Sequence, residues 1–131
     1  RRVEFLTGYQ NAAYAERYRA FVARVQQQEA ALGRTQLTEA VAQGLFKLMA
    51  YKDEYEVARL HSDPTFLARI DAMFEGDYKI HYHLAPPMTA QRNERGELVK
   101  KKYGSGMGRV FRLLARLKGL RGGALDLFGK T

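Results

Sequence analysis

The chain has 131 residues, no cysteine, 46% hydrophobic residues and a formal net charge of +8. That length suits one small domain able to bury about two-thirds of its surface, and the composition argues against disorder. The missing cysteines exclude disulfides, thiolate zinc sites and cysteine-held iron–sulfur clusters within the segment.

In chain order, the first predicted helix covers about residues 9–32, with Tyr14, Tyr18, Phe21, Val22 and Val25 on its apolar face. Gly33 is its stop signal, and Thr35 is a candidate cap for a second helix running to about Leu60. At 100° per residue, Leu37, Val41, Leu45, Leu48 and Tyr55 share one stripe of that helix, and Lys52 and Arg59 fall in the middle of it. Asp63-Pro64 opens a third helix carrying Phe66, Leu67, Ile70 and Phe74, which Gly76 ends. The period then changes to two. Tyr78, Ile80, Tyr82 and Leu84 alternate with Lys79, His81, His83 and Ala85, a half-buried strand stopped by Pro86-Pro87. Asn93–Gly96 is a turn, and Glu97–Tyr103 returns as a second strand whose Lys100, Lys101 and Lys102 suit an exposed edge. A last helix covers about 108–118, with Val110, Leu113, Leu114 and Leu117 as its apolar face and Arg109, Arg112 and Arg116 on another. The expected fold is mainly α with a small β-hairpin: about four helices in a single domain over 1–131, helical over 1–77, then hairpin plus basic helix over 78–131.

Charge follows the same division. Residues 1–77 hold ten Lys/Arg against eleven Asp/Glu, and residues 78–131 hold twelve against three, a net of +9. The basic part suits an acidic partner, an anionic cofactor or nucleic acid, or a surface covered by neighbouring domains. Nucleic-acid binding is the alternative function. Only Phe111 lies among the arginines of the last helix, so aromatic side chains for base stacking are sparse. No apolar run approaches the roughly 20 residues of a membrane span, and no signal peptide is visible. The start at Arg1-Arg2 rather than Met is expected of a piece of a longer polypeptide.

Charges on a packing face are costly unless paired. Lys52, Tyr55 and Arg59 are therefore candidate contacts for an anionic substrate, or members of an interhelical salt-bridge network with Glu56. His81 and His83 share a strand face, but no third ligand stands at a telling spacing and Lys79 would repel a cation, so no metal site is expected. With Lys79 they are candidate contacts for an acidic ligand. Lys100, Lys101, Lys102, Arg109, Arg112 and Arg116 are candidate docking residues. Gly104-Ser105-Gly106-Met107-Gly108 before a helix suggests anion binding, without the Gly-Lys-Ser/Thr of a phosphate loop. The terminal Gly-Lys-Thr is not a phosphate loop either, since residue 124 is alanine where one needs glycine. Gly76-Asp77-Tyr78 lacks the second glycine of a thiamine-diphosphate signature. No catalytic residue is expected.

Three segments resemble the C-terminal region of the long, fused bacterial indolepyruvate ferredoxin oxidoreductases. They are Leu48–Leu60 (LMAYKDEYEVARL), His81–Pro87 (HYHLAPP) and Phe111–Gly122 (FRLLARLKGLRG). Arg1–Tyr9 and Asp126–Thr131 are similar too, whereas Ser105-Gly106 stands where a Pro-Trp pair is expected. The resemblance implies a cytoplasmic, homo-oligomeric parent that converts indolepyruvate, coenzyme A and oxidised ferredoxin to indoleacetyl-coenzyme A, carbon dioxide and reduced ferredoxin. It implies thiamine diphosphate and iron–sulfur clusters upstream of this segment, so none of the family's catalytic residues carries over. The segment is then expected to be a non-catalytic domain that packs on other domains of the same polypeptide, makes subunit contacts, or shapes the substrate or ferredoxin route. In that reading Lys52, Arg59 and His83 are candidates to line a pocket for a substrate carboxylate or coenzyme A.

Overall fold

A computed structural model describes residues 1–86, 91–126, 128 and 129. The fold is mainly α with a small two-stranded antiparallel sheet. The chain divides into two compact units, Arg1–Lys52 and Asp53–Thr131. That division falls at 52/53, while the hydropathy period and the charge both change near residue 77. Pro87 of the Pro-Pro stop, and Lys130 and Thr131 of the terminal Gly-Lys-Thr, lie outside the described residues.

Unit 1 holds three helices: α1 (Arg2–Tyr9), α2 (Ala12–Ala30) and α3 (Gln36–Met49). The first predicted helix is thus shorter than expected at its start, and a separate helix precedes it. Asn11 makes the break: its extended backbone leaves the helix, and its side chain accepts from the Tyr14 amide at 2.9 Å, capping α2. Gly33 turns the chain at φ +66°, as a helix stop requires. Thr35 does not cap α3 through its side chain. The cap comes from Glu29, whose buried carboxylate accepts from the Leu37 and Thr38 amides and the Thr38 hydroxyl at 2.6–2.7 Å. Burial pushes that carboxyl up, yet the Thr38 hydroxyl and the two amides outweigh it and hold it below its ordinary value.

The core of unit 1 is small. Leu6, Ala15 and Tyr18 are buried, with Tyr14, Val22, Leu45, Phe46, Met49 and Ala50 packed around them. Two tyrosine hydroxyls tie α2 to α3: Tyr18 donates to the Ala42 carbonyl at 2.8 Å and Tyr14 to the Met49 carbonyl at 3.0 Å. The packing face of α3 therefore runs through Ala42, Leu45, Phe46 and Met49. Leu37 and Leu48, expected on it, are exposed.

Unit 2 holds α4 (Glu54–His61), α5 (Pro64–Asp71), β1 (Tyr82–Leu84), β2 (Lys101–Tyr103), α6 (Met107–Arg116) and a 3₁₀ turn over Leu117–Leu120. The predicted helix to Leu60 stops at Met49 and restarts at Glu54, because Asp53 turns extended and caps α4 by accepting from the Glu56 amide at 2.8 Å. Asp63 caps α5 as expected, accepting from the Thr65 and Phe66 amides, with Pro64 in the first turn. The strands are shorter than the alternation suggests. They pair Tyr82 with Tyr103, His83 with Lys102 and Leu84 with Lys101. The Asn93–Gly96 turn forms, with Gly96 at φ +75° and its amide on the Asn93 carbonyl at 2.9 Å. α4 packs on α6, and Ala58, Tyr82 and Phe111 form the core. His61 stacks on Phe111 at 5.2 Å and meets Tyr82 edge-on at 5.5 Å. Its core contacts set the roll of α6: Met107, Phe111 and Leu114 turn inward, and Val110 and Leu113, expected inside, are exposed.

Candidate functional site

The charged residues of α4 are locked in pairs. Glu56 is 1% exposed, and its two carboxylate oxygens accept from Arg59 Nε and an Arg59 terminal nitrogen, both at 2.8 Å. This bidentate fork spans three residues of one helix and raises the Arg59 pKa above its ordinary value. Asp53 does two things at once. Besides capping α4, it takes the fork of Arg121, Nε on one oxygen and a terminal nitrogen at 2.8 Å on the other. Both partners of that pair are largely buried. The Arg121 guanidinium also lies over the Tyr55 ring, 5.6 Å from its centroid.

Tyr55 completes the cluster. Its ring is buried and meets Phe128 edge-on at 5.1 Å, and its hydroxyl donates to Asp126 at 3.2 Å. The Asp126 carboxylate further accepts from the amides of Gly122 and Phe128 at 2.7 and 3.1 Å. The Gly122 amide leads the contacts that hold Asp126 below the ordinary carboxylate pKa, against the opposing effect of burial. Together these contacts make a clasp: the segment from Arg121 to Phe128 is fastened to the start of α4 through Asp53 and Tyr55. Asp53, Arg121, Asp126 and Phe128 were not singled out by their spacing. The usable signal was Asp53 three residues before Glu56, which reads as a helix start.

The sequence candidates separate accordingly. Lys52 is exposed in the connection between α3 and α4, outside any helix. Tyr55 and Arg59 belong to the clasp and to the Glu56 pair. His81 and His83 are exposed. His83 lies on the sheet face opposite Tyr82, the residue that packs with Ala58 of α4. Of the residues expected to line an anion pocket, Lys52, Arg59 and His83, Arg59 is held by Glu56 and His83 is exposed on the sheet. Among the described residues no group of three or more His, Cys, Asp or Glu is placed to hold a metal ion. His61, which the sequence does not mark as a site residue, lies among aromatic rings, and burial pushes its pKa down.

The glycine-rich loop before α6 also has its amides occupied. Met107, Gly108 and Arg109 donate to the carbonyls of Gly104, Ser105 and Gly106 at 3.1–3.2 Å. An anion at this helix start would have to displace those bonds.

The basic candidates stand apart from the clasp. Lys100, Lys101 and Lys102 are exposed on the hairpin, and Arg109, Arg112 and Arg116 are exposed on α6. Among the described residues none of the six is in an ion pair. At 100° per residue the three arginines lie within about 60° of one another, beside the exposed Val110 and Leu113. Lys102 faces His83 across the sheet. No helix among the described residues is long and apolar enough to cross a membrane.

No curated protein and no solved structure matches the chain. The profile of one family matches it from end to end, over residues 1–131, and the chain belongs to that family, the family of unknown function DUF6537.

Proposed function

We propose that the chain is a non-catalytic accessory domain of an indolepyruvate ferredoxin oxidoreductase, and that its basic hairpin and α6 dock the acidic electron acceptor. The observation that carries this reading is the set of six exposed cations, Lys100, Lys101, Lys102, Arg109, Arg112 and Arg116, none paired with a described carboxylate. Such a surface attracts acidic proteins over a Debye length of about 8–10 Å, and its field raises encounter rates. Ferredoxins are generally acidic. The resemblance in Leu48–Leu60, His81–Pro87 and Phe111–Gly122 supplies that partner and the parent reaction, oxidative decarboxylation of an aryl-pyruvate to its coenzyme A thioester. In this reading thiamine diphosphate and the iron–sulfur clusters belong to other domains of a cytoplasmic, homo-oligomeric parent. The α4 clasp is a packing device, since each of its charges already holds a partner.

The aromatic complement of α6 favours a protein over nucleic acid as the partner. Phe111 is its one aromatic residue, and it is buried against Tyr82 at 4.9 Å. Base stacking would need exposed rings on the basic face.

The test is charge reversal in the full-length enzyme. Lys100→Glu, Lys101→Glu and Lys102→Glu together are expected to lower the second-order rate of ferredoxin reduction by about tenfold at low salt, with the deficit shrinking as salt rises. Turnover with a small neutral electron acceptor stays unchanged. An unaltered ferredoxin rate at low salt overturns the docking role.

A further inference from the structure

Unit 1 carries an open groove of a different chemistry. Tyr14, Ala20 and Phe21 of α2 and Leu45 and Met49 of α3 line it, and its volume is about 560 Å³. Phe21 is 43% exposed there. Leu48, one turn beyond Leu45, is 79% exposed. Within unit 1, α1 lies on the Phe46 side of the α2–α3 pair, with Phe5 edge-on to Phe46 at 5.4 Å. α1 also meets the Tyr14 end of the groove, where Tyr9 stacks on Tyr14 at 5.8 Å. Three helices with so few fully buried side chains make an incomplete bundle, and a further helix laid in the groove is the regular way to close one.

The charges on the rim define what that helix must carry. Arg17 and Arg24 both border the groove, seven residues apart on α2. That spacing is two turns, about 10.5 Å along the axis. Each guanidinium lies over an aromatic ring of the groove, Arg17 over Tyr14 at 5.8 Å and Arg24 over Phe21 at 5.5 Å. Neither is in an ion pair among the described residues, where Glu16 is taken by Arg19. Two guanidiniums resting on rings at the edge of an apolar trough leave their hydrogen-bonding forks for planar carboxylates.

We propose that the α2–α3 groove seats an acidic amphipathic helix of a partner protein, its apolar stripe on Phe21, Leu45 and Met49 and two carboxylates seven residues apart on Arg17 and Arg24. The recognition is helix-in-groove, with anchors at i, i+3 or i+4, and i+7. The arginines fix the sign of the partner and its register along α2.

The test uses the full chain, labelled with ¹⁵N, and two synthetic helical peptides of about 18 residues, longer than the stretch of α2 from Tyr14 to Arg24 that borders the groove. Both carry leucine on one stripe; one has glutamate and the other lysine at the flanking i and i+7 positions. The glutamate peptide is expected to bind at least about tenfold more tightly, with amide shifts confined to residues 14–24 and 45–49. Arg17→Glu with Arg24→Glu, whose side chains are outside the core, is expected to reverse the preference. Equal affinity for the two peptides overturns the proposal. So do shifts centred on α6, failure of the charge-swapped variant to change preference, and binding of phosphatidylglycerol vesicles at this face without binding of the glutamate peptide.

Discussion

Asp53 serves a helix end and an ion pair with one carboxylate. Asp53→Ala removes the cap on the Glu56 amide, a loss of about 1 kcal/mol. It also leaves Arg121 without its carboxylate. Uncompensated charges in fully buried pairs cost about 3–5 kcal/mol; Arg121 and Asp53 are 11% and 16% exposed, so water reaches them and lowers the cost to about 2 kcal/mol. The whole effect is about 3 kcal/mol, a large share of the 5–15 kcal/mol typical of a folded domain. Asp53→Asn keeps a capping oxygen and loses the ion pair, at about 2 kcal/mol. Arg121→Ala gives up the pair and its contact with the Tyr55 ring but leaves Asp53 on the Glu56 amide, also about 2 kcal/mol. The double variant Asp53→Ala with Arg121→Ala strands neither charge, so it costs less than the two single changes together, with a coupling of about 2–3 kcal/mol. Urea unfolding followed by far-ultraviolet circular dichroism measures all four proteins, and hydrogen exchange of the α4 amides locates the loss. Asn as stable as the parent protein, combined with an additive double variant, would refute the reasoning: the Arg121 contact would then be surface decoration, and the cap alone would account for the cost.

Two further outcomes follow from the same contacts. Arg59→Ala strands the Glu56 carboxylate at 1% exposure and is expected to cost about 3 kcal/mol in urea unfolding, whereas Glu56→Ala releases Arg59, whose side chain is 24% exposed, and costs less; equal costs would contradict the pairing. His61 is held below its ordinary pKa of about 6.5 by burial, so the unfolded chain binds its proton more readily. The stability that neutral His61 contributes is present above that value and is lost as pH falls below it. Thermal melts between pH 7.5 and 5.0 should show this slope, and His61→Phe should flatten it. The carboxylates of Asp63 and Asp126, whose folded pKa values are also lowered, lose their contribution only at more acidic pH.

The readable parts of the fold were those decided by local chemistry. Asp63-Pro64 caps α5, Gly33 and Gly96 adopt positive φ, and Asn93–Gly96 makes the hairpin turn, all from residues a few positions apart. The helix break at 50–53 was not readable, because the stripe from Leu37 to Tyr55 stays in helical phase across it. What fixes the break is Asp53, stabilised in its capping conformation by an arginine 68 residues later. The cap of α3 was assigned to the adjacent Thr35 and is supplied by Glu29 from the end of the preceding helix. The face of α6 is not readable to within part of a turn, since Val110 and Phe111 are both apolar and only the aromatic packing with Tyr82 and His61 decides between them. Of the candidate site, the residues are partly legible and their roles are not: Arg59 pairs with Glu56 one turn away, whereas the partners of Tyr55, namely Arg121, Asp126 and Phe128, lie at the far end of the chain.

Burial sorts the charges of this protein into two kinds, and the sorting bears on where function is to be sought. A charge on a packing face must have its partner supplied by the fold, since desolvation without one costs several kcal/mol. Glu56, Arg59, Asp53 and Arg121 meet that condition, and a ligand competing for any of them would have to replace an ion pair already made. A charge left in water needs no partner for folding, and its field extends into solvent. Clustering such charges works against the compact state through self-repulsion. Lys100–Lys102 and the α6 arginines cluster in this way in unit 2, and Arg17 and Arg24 border an apolar trough in unit 1. These positions do little for the stability of the chain itself and leave strong donors exposed beside apolar side chains. That combination suits recognition of acidic protein surfaces, whereas the α4 clasp, the most conspicuous charged segment of the sequence, is spent on holding the fold together.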